Sequence, residues 1–288
     1  MTVRFTDLKP RRSTLEKIPL RADPFLGWGP KVHFTLLVLF LLLFAVLWLN
    51  LWTGFPRFGV ARWPDGLLLV LTAATTLAAL CRQLPAQNVM LASALVMFVA
   101  GLVHTVGALS GVPFGPYIYQ KPLGQTLFDP LPWSIPVIWL VAVLNARGVG
   151  RLILRPWRKT RNYGFWLMGL TVLLVILFDL AFEPFATEVK GFWTWNRTRA
   201  GLFWYTTPWI NFIGWGVTAL LMLLFVTPSL INKKPVKHPP DYHPLLIWAL
   251  LNLFFVTGMA AHHLWLGVAT VSAVSVAIAV AAIRGASW

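Results

Sequence analysis

Acidic residues and cysteine are both scarce in this chain, which has nine Asp and Glu and a single Cys among 288 residues. The lone Cys81 cannot close an internal disulfide and has no partner at metal-ligand spacing, so it reads as a small packed thiol without a role. The acids form no cluster suited to Mg²⁺. No HExxH or HxxxH pattern occurs, and GxGxxG and GxxxxGK[ST] are missing too. Metal-driven, phosphate-driven and NAD-driven chemistry are therefore not expected, and no metal or cofactor is assigned. Charge is sparse as well, at 11% of residues against 58% apolar, with a mean hydropathy of +0.70. That is not the composition of a soluble domain.

What is present is a series of long apolar runs. At roughly 20 apolar residues per crossing, the expected fold is an all-α, polytopic transmembrane helix bundle. Spans are read near 34–53, 66–81, 88–110, 131–146, 164–186, 207–230, 245–261 and 264–283. About eight are expected, with seven possible, because only Ala261-His262-His263 divides the last two. Residues 1–32 form a basic segment ahead of a single transmembrane domain, 33–288.

A net charge of +15 could suggest nucleic acid, but the basic residues sit in alternate loops rather than on one soluble face. Arg4, Lys9, Arg11, Arg12, Lys17, Arg21 and Lys31 precede the first span. Arg147, Arg151, Arg155, Arg158, Lys159 and Arg161 follow the fourth, and Lys233, Lys234 and Lys237 follow the sixth. The positive-inside rule makes these regions cytoplasmic, N-terminus included. Their partners are membrane lipids with anionic headgroups, and no nucleic acid is expected. The polar, basic stretch ahead of the first span gives no sign of a cleavable leader, so that span is read as an uncleaved anchor.

Asp179 and Glu183 are the acids that fall inside an apolar segment, Leu173–Ala186, reading LLVILFDLAFEPFA. On a helix a spacing of four puts both carboxyls on one face, one turn apart, where low dielectric and mutual repulsion leave at least one of them holding a proton. A buried protonated carboxyl is a proton donor. Such acids can also pair with a cation or cap a helix end. Each costs roughly 2.5–3.5 kcal/mol on the mild insertion scale, and the sequence accepts that cost twice in one turn.

Aromatic, Gly and Pro residues gather in three loops on the side opposite the basic ones. Gly111-Val112-Pro113-Phe114-Gly115-Pro116-Tyr117-Ile118-Tyr119 is too broken to continue a helix and reads as an ordered re-entrant or interfacial loop. Glu188 to Pro208 holds Trp193, Trp195, Trp204 and Tyr205, and leads into Asn211 and Trp215. The third is the His262-His263 turn. Trp and Tyr collect at membrane interfaces in any case. A belt does not explain polar residues at one depth, however, and one outer site would account for His104, Asp179, Glu183, Asn211, His262 and His263.

The ordered blocks GVPFGPYIY (111–119), LPWSIPVIW (131–139), DLAFEP (179–184) and PWINFIGW (208–215) resemble the motif set of the carotenoid biosynthesis membrane family over roughly residues 34–284. Its characterised members are carotenoid 1,2-hydratases, including γ-carotene hydratases and bisanhydrobacterioruberin hydratases. Two positions depart from the family pattern. His104 stands where the family usually has Glu, and Glu183-Pro184 where it usually has Asp-Pro. The resemblance implies a cofactor-independent hydro-lyase acting on a lipid-dissolved carotenoid with a ψ end group. A proton goes to one alkene carbon, a tertiary cation forms on the next, and water is captured there.

On that reading Glu183 or Asp179 is the acid, and the other carboxyl or His104 holds the water. Phe114, Tyr117, Tyr119, Trp204, Tyr205, Asn211 and Trp215 shape the pocket, aromatic faces stabilising the cation. The expected setting is the bacterial or archaeal cytoplasmic membrane, with other carotenoid-pathway enzymes as further partners. Two alternatives stand beside it: a cyclase or isomerase of the same end group, and a non-catalytic carotenoid-binding or pigment-complex protein. A transporter lacks support, because no internal repeat is visible.

Overall fold

The computed structural model describes residues 25–56, 58, 63–120, 123–196, 201–231 and 239–288, with side chains from Pro30 onward in the first helix. Eight helices are long and apolar enough to cross a membrane. They are α1 (Phe25–Thr53), α2 (Trp63–Cys81), α3 (Ala86–Ser110), α4 (Ser134–Ile153), α5 (Tyr163–Pro184), α6 (Trp209–Val226), α7 (His243–Ala261) and α8 (Trp265–Ala286). The last two are separate helices, divided at His262–Leu264.

α4 is the hub. It packs on α2, α3, α5, α7 and α8, and 78% of its spanning window is buried, against 22% for α1 and 17% for α8. Lipid tails are as apolar as a helix surface, so what holds such a bundle is close packing and internal polar pairing. The outer helices accordingly keep Phe34, Leu42 and Val276 exposed on their flanks.

Six short strands were not foreseen by the helical reading, and all lie at one end of the bundle. β1 (Tyr117–Tyr119) pairs antiparallel with β4 (Trp193–Trp195); β2 (Thr126–Phe128) pairs with β3 (Leu131–Pro132), and β5 (Phe203–Trp204) with β6 (Thr207–Pro208). The strands also correct two span boundaries. Leu131–Pro132 and Thr207–Pro208 pair as strands, so α4 and α6 begin at Ser134 and Trp209. Cys81 is a further correction: it ends α2 exposed rather than packed.

At the other end of the bundle Arg147, Arg151, Arg155, Arg158 and Lys159 surround a cavity of about 680 Å³. Acidic and basic chemistry thus occupy opposite ends. Arg4, Lys9, Arg11, Arg12, Lys17 and Arg21, and Lys233, Lys234 and Lys237, lie outside the described residues.

Candidate active site

The site begins where α5 ends. Pro184 has no N–H, so the Leu180 carbonyl one turn earlier loses its helical partner. The indole Nε1–H of Trp204 donates to that carbonyl at 3.0 Å, which gives a partner to a partly buried acceptor that the helix leaves open. Beyond Pro184 the chain widens into a π-turn, Phe185–Val189, a local irregularity common where side chains are re-aimed for function. Lys190 N–H closes it on the Phe185 carbonyl at 3.0 Å.

Glu183 sits at this break, 1% exposed, with Asp179 one turn back and 0% exposed. Glu183 accepts four hydrogen bonds. Oε2 takes Trp193 Nε1 and Trp195 Nε1, each at 3.2 Å, and Thr207 Oγ1 at 2.8 Å; Oε1 takes Asn211 Nδ2 at 3.0 Å. The same Asn211 amide donates to Asp179 Oδ2 at 2.8 Å, and Asp179 Oδ1 has no partner. Among the described residues the ion pair is Lys190–Asp65 at 2.9 Å, so neither buried acid has a described cation against it. Four donors stabilise a carboxylate at 183 strongly, whereas Asp179 is offered one.

Strand pairing supplies the donors. The β1/β4 register sets Tyr117 opposite Trp195 and Tyr119 opposite Trp193, and the period of two turns all four toward the bundle while Ile118 points out, 66% exposed. Tyr117 and Trp195 meet edge-on, ring centroids 5.3 Å apart. The tyrosine hydroxyls reach His104 of α3, whose Nδ1 lies 2.9 Å from Tyr119 Oη and 3.3 Å from Tyr117 Oη. His104 Nε2 is engaged by Trp139 Nε1 at 2.6 Å. An indole can only donate, so Nε2 is the acceptor, and the imidazole proton sits on Nδ1, facing the tyrosines. Burial, with Glu183 nearby, holds both phenols well above the usual tyrosine range, so they act as neutral hydroxyls.

Two motif blocks meet around Phe114, which stacks on His104 at 4.4 Å. A Cβ on Gly107 of α3 would come within 2.8 Å of that ring, and one on Gly214 of α6 within 2.7 Å. Both positions therefore need glycine to make room for it. Gly111 ends α3 with φ 77, the left-handed cap that glycine adopts freely. Trp215 of α6 stacks on Trp139 at 4.1 Å.

Together these side chains enclose a chamber of only about 20 Å³, lined by His104, Phe114, Tyr117, Tyr119, Glu183 and Asn211 and walled by aromatics that include Trp215. That is about the room one water needs. Beside it lies an apolar groove of about 700 Å³ between α2, α4, α5 and α7.

Of the expected site residues, His104, Phe114, Tyr117, Tyr119, Glu183, Asn211 and Trp215 thus come together, with Asp179 immediately behind. Trp204 and Tyr205 do not join them. Trp204 is taken up by the Leu180 carbonyl. Tyr205 Oη donates to the Leu264 carbonyl at 3.2 Å and accepts from Gly267 N–H at 2.7 Å, tying the loop to the start of α8. His262 and His263 are exposed in the α7–α8 turn, away from the chamber. His104 also differs from its expected part, because both ring nitrogens are already engaged.

Trp139 and Thr207 join the site from outside the expected set, and Trp193 and Trp195, read from the sequence as loop aromatics, supply two of its donors. The alternation Tyr-x-Tyr and Trp-x-Trp was the available signal for a paired ribbon. Among the described residues no group of three His, Cys, Asp or Glu could hold a metal ion.

A family model described as "Carotenoid biosynthesis protein" matches residues 65–282, more than half of the chain. The bisanhydrobacterioruberin hydratase of Haloarcula japonica is 28% identical over 171 residues, which are 55% of this chain and 56% of the relative. The chain thus aligns with about half the length of the curated relative it matches. No solved structure matches it.

Proposed function

The chain belongs to the carotenoid biosynthesis protein family, and from that premise we propose that it is an enzyme that hydrates the terminal ψ-end alkene of an acyclic or monocyclic carotenoid. The observation that carries this is Glu183, a buried carboxyl that faces a water-sized aromatic chamber and has four hydrogen-bond donors ready for its anion. The related hydratase of Haloarcula japonica supports the same reading.

Glu183 is the acid of the pair that lines the chamber. Its Oε2 is crowded by three donors, so the transferable proton rides on Oε1, which has one. Transfer to the less substituted alkene carbon leaves a tertiary cation on the other carbon and a carboxylate on Glu183. Trp193, Trp195, Thr207 and Asn211 are already aimed at that charge, and preorganised donors of this kind need no rearrangement as it develops. The surrounding aromatic rings stabilise the cation. Water held by the Tyr117 and Tyr119 hydroxyls adds to the cation, and its proton returns to Glu183. One water is consumed, a tertiary alcohol forms, and the acid is regenerated.

Asp179 anchors Asn211 from behind. With two carboxyls sharing one amide and no described cation beside them, a second negative charge would be repelled strongly at low dielectric. The pair is therefore uncharged while Glu183 holds its proton, and its single charge falls on Glu183, where the four donors are, once that proton has left. His104 positions the two hydroxyls rather than transferring a proton itself.

The test is expression in a host that accumulates lycopene or γ-carotene, with the pigments mass-analysed after growth in ¹⁸O-labelled water. The product should gain one water, with its oxygen from solvent. An isomer of unchanged mass would establish a cyclase, label from O₂ an oxygenase, and unaltered pigment bound to the purified protein a binding role.

A further inference from the structure

The chamber that holds the acid is far too small for a carotenoid end group, yet an apolar groove of about 700 Å³ lies directly against it. Groove and chamber share two wall residues, Ile138 and Phe182, which are 9% and 5% exposed. We propose that the groove between α2, α4, α5 and α7 seats the polyene chain of the substrate, entering sideways from lipid, and that Phe182 with Ile138 is the partition its end group displaces to reach Glu183. This rests on the hydratase reading only for the identity of the end group.

Three features argue for a polyene as occupant. The first is continuity: the groove shares walls with the carboxyl chamber, whereas the basic cavity at the other end of the bundle shares none. The second is the lining, in which Phe178, Phe182, Phe185, Phe254, Phe255 and Trp133 supply flat faces that suit a conjugated chain, with a volume in the usual range for ligand sites, about 300–1,000 Å³. The third is access. The rim on α2 is open on the flank of the bundle, with Trp63 59%, Leu67 40% and Val70 46% exposed.

Along α2 the groove runs from Trp63 to Thr72, about 14 Å at the helical rise, so a polyene longer than that path leaves its far end in lipid. The Lys190–Asp65 pair joins the groove's outer end on α2 to the turn that follows α5.

The experiment adds a plug after folding, so that misfolding cannot mimic the result. Cys81 is replaced by Ser, Val70→Cys is introduced, and the purified full-length protein is labelled with a bulky maleimide. Met90→Cys, 61% exposed on α3 away from the groove, is labelled as control. Turnover is compared for a full-length acyclic carotenoid and for a short terpene with the same trisubstituted alkene. Labelling at Val70, but not at Met90, should lower the long-to-short ratio of kcat/KM by about tenfold or more. An unchanged ratio overturns the groove assignment while leaving hydration intact.

Binding is read separately, by tryptophan quenching with a carotenoid whose terminal alkenes are saturated. That readout survives even if no hydration of any substrate is found. Quenching reduced by the Val70 label supports the groove. Quenching that ignores the label overturns it, and so does label-sensitive quenching by brominated phospholipid with none by the carotenoid, which would make the groove a lipid seat.

Discussion

Glu183→Gln separates the carboxyl's chemistry from its hydrogen bonding, and the structure says how the variant will behave. Glutamine keeps the shape but has one oxygen. Placed at the Oε2 position, that oxygen retains Trp193, Trp195 and Thr207. The amide nitrogen then takes the Oε1 position, 3.0 Å from Asn211 Nδ2, donor against donor. Turning the Asn211 amide over relieves this clash but withdraws the 2.8 Å bond to Asp179. One buried group is left unsatisfied either way, a cost of about 1–3 kcal/mol. Turnover should fall by about 10²–10⁴, the scale for losing a positioned acid.

Adding Asp179→Asn to Glu183→Gln lets both new amide nitrogens donate to the Asn211 oxygen once that amide is turned over, so thermal stability in detergent should recover while turnover does not. Purified variants would be compared by melting temperature and by mass analysis of product. Wild-type turnover in Glu183→Gln, or recovery of turnover together with stability in the double variant, would refute the assignment of the proton to residue 183.

Asp179→Asn should be the milder change: its oxygen can keep the Asn211 bond and its nitrogen can occupy the position of the unpartnered Oδ1, so stability should hold and turnover should fall less than in Glu183→Gln. Trp204→Phe strips the Leu180 carbonyl of its donor and should lower stability by about 1–3 kcal/mol, read as a lower melting temperature, with the long-to-short substrate ratio unmoved because Trp204 lines neither groove nor chamber. A reporter fused after Lys159 should report cytoplasm and one inserted near Gly115 the outside, since the basic and carboxyl ends of the bundle are opposite; the reverse result would place the acid chamber on the cytoplasmic side.

Much of this was legible before the fold. Apolar length locates the eight helices, because each crossing must satisfy its own backbone in lipid, but α1 begins nine residues before its expected span and α4 runs seven residues past the end of its own. The helical spacing of Asp179 and Glu183 likewise puts both acids on one face. Gly214 stands in the PWINFIGW block and Gly107 near the end of the third span, but the sequence does not say why either must be glycine. Gly107 and Gly214 make room for Phe114 from two helices distant in sequence, and no local period encodes that meeting. The β1/β4 ribbon was hidden for the same reason, since its strands pair across more than seventy positions of sequence. Trp204 and Tyr205 are expected in the pocket only for their aromatic character, which does not distinguish a pocket wall from a tether.

His104 shows what its position requires. Trp139 offers an N–H, so residue 104 must accept, which a carboxylate oxygen or a bare imidazole nitrogen does equally well. On the other side stand two tyrosine hydroxyls. A carboxylate could only accept from them, whereas the imidazole Nδ1–H donates to one. Histidine where the family usually has glutamate therefore reverses the direction of one hydrogen bond and keeps the geometry of the tyrosines. It also removes a third carboxyl from the neighbourhood of Asp179 and Glu183, where each further negative charge would be harder to hold than the last. On the proposed mechanism the proton chemistry of the chamber then rests on Glu183 alone, with His104 setting the tyrosines and remaining uncharged as the proton leaves and returns.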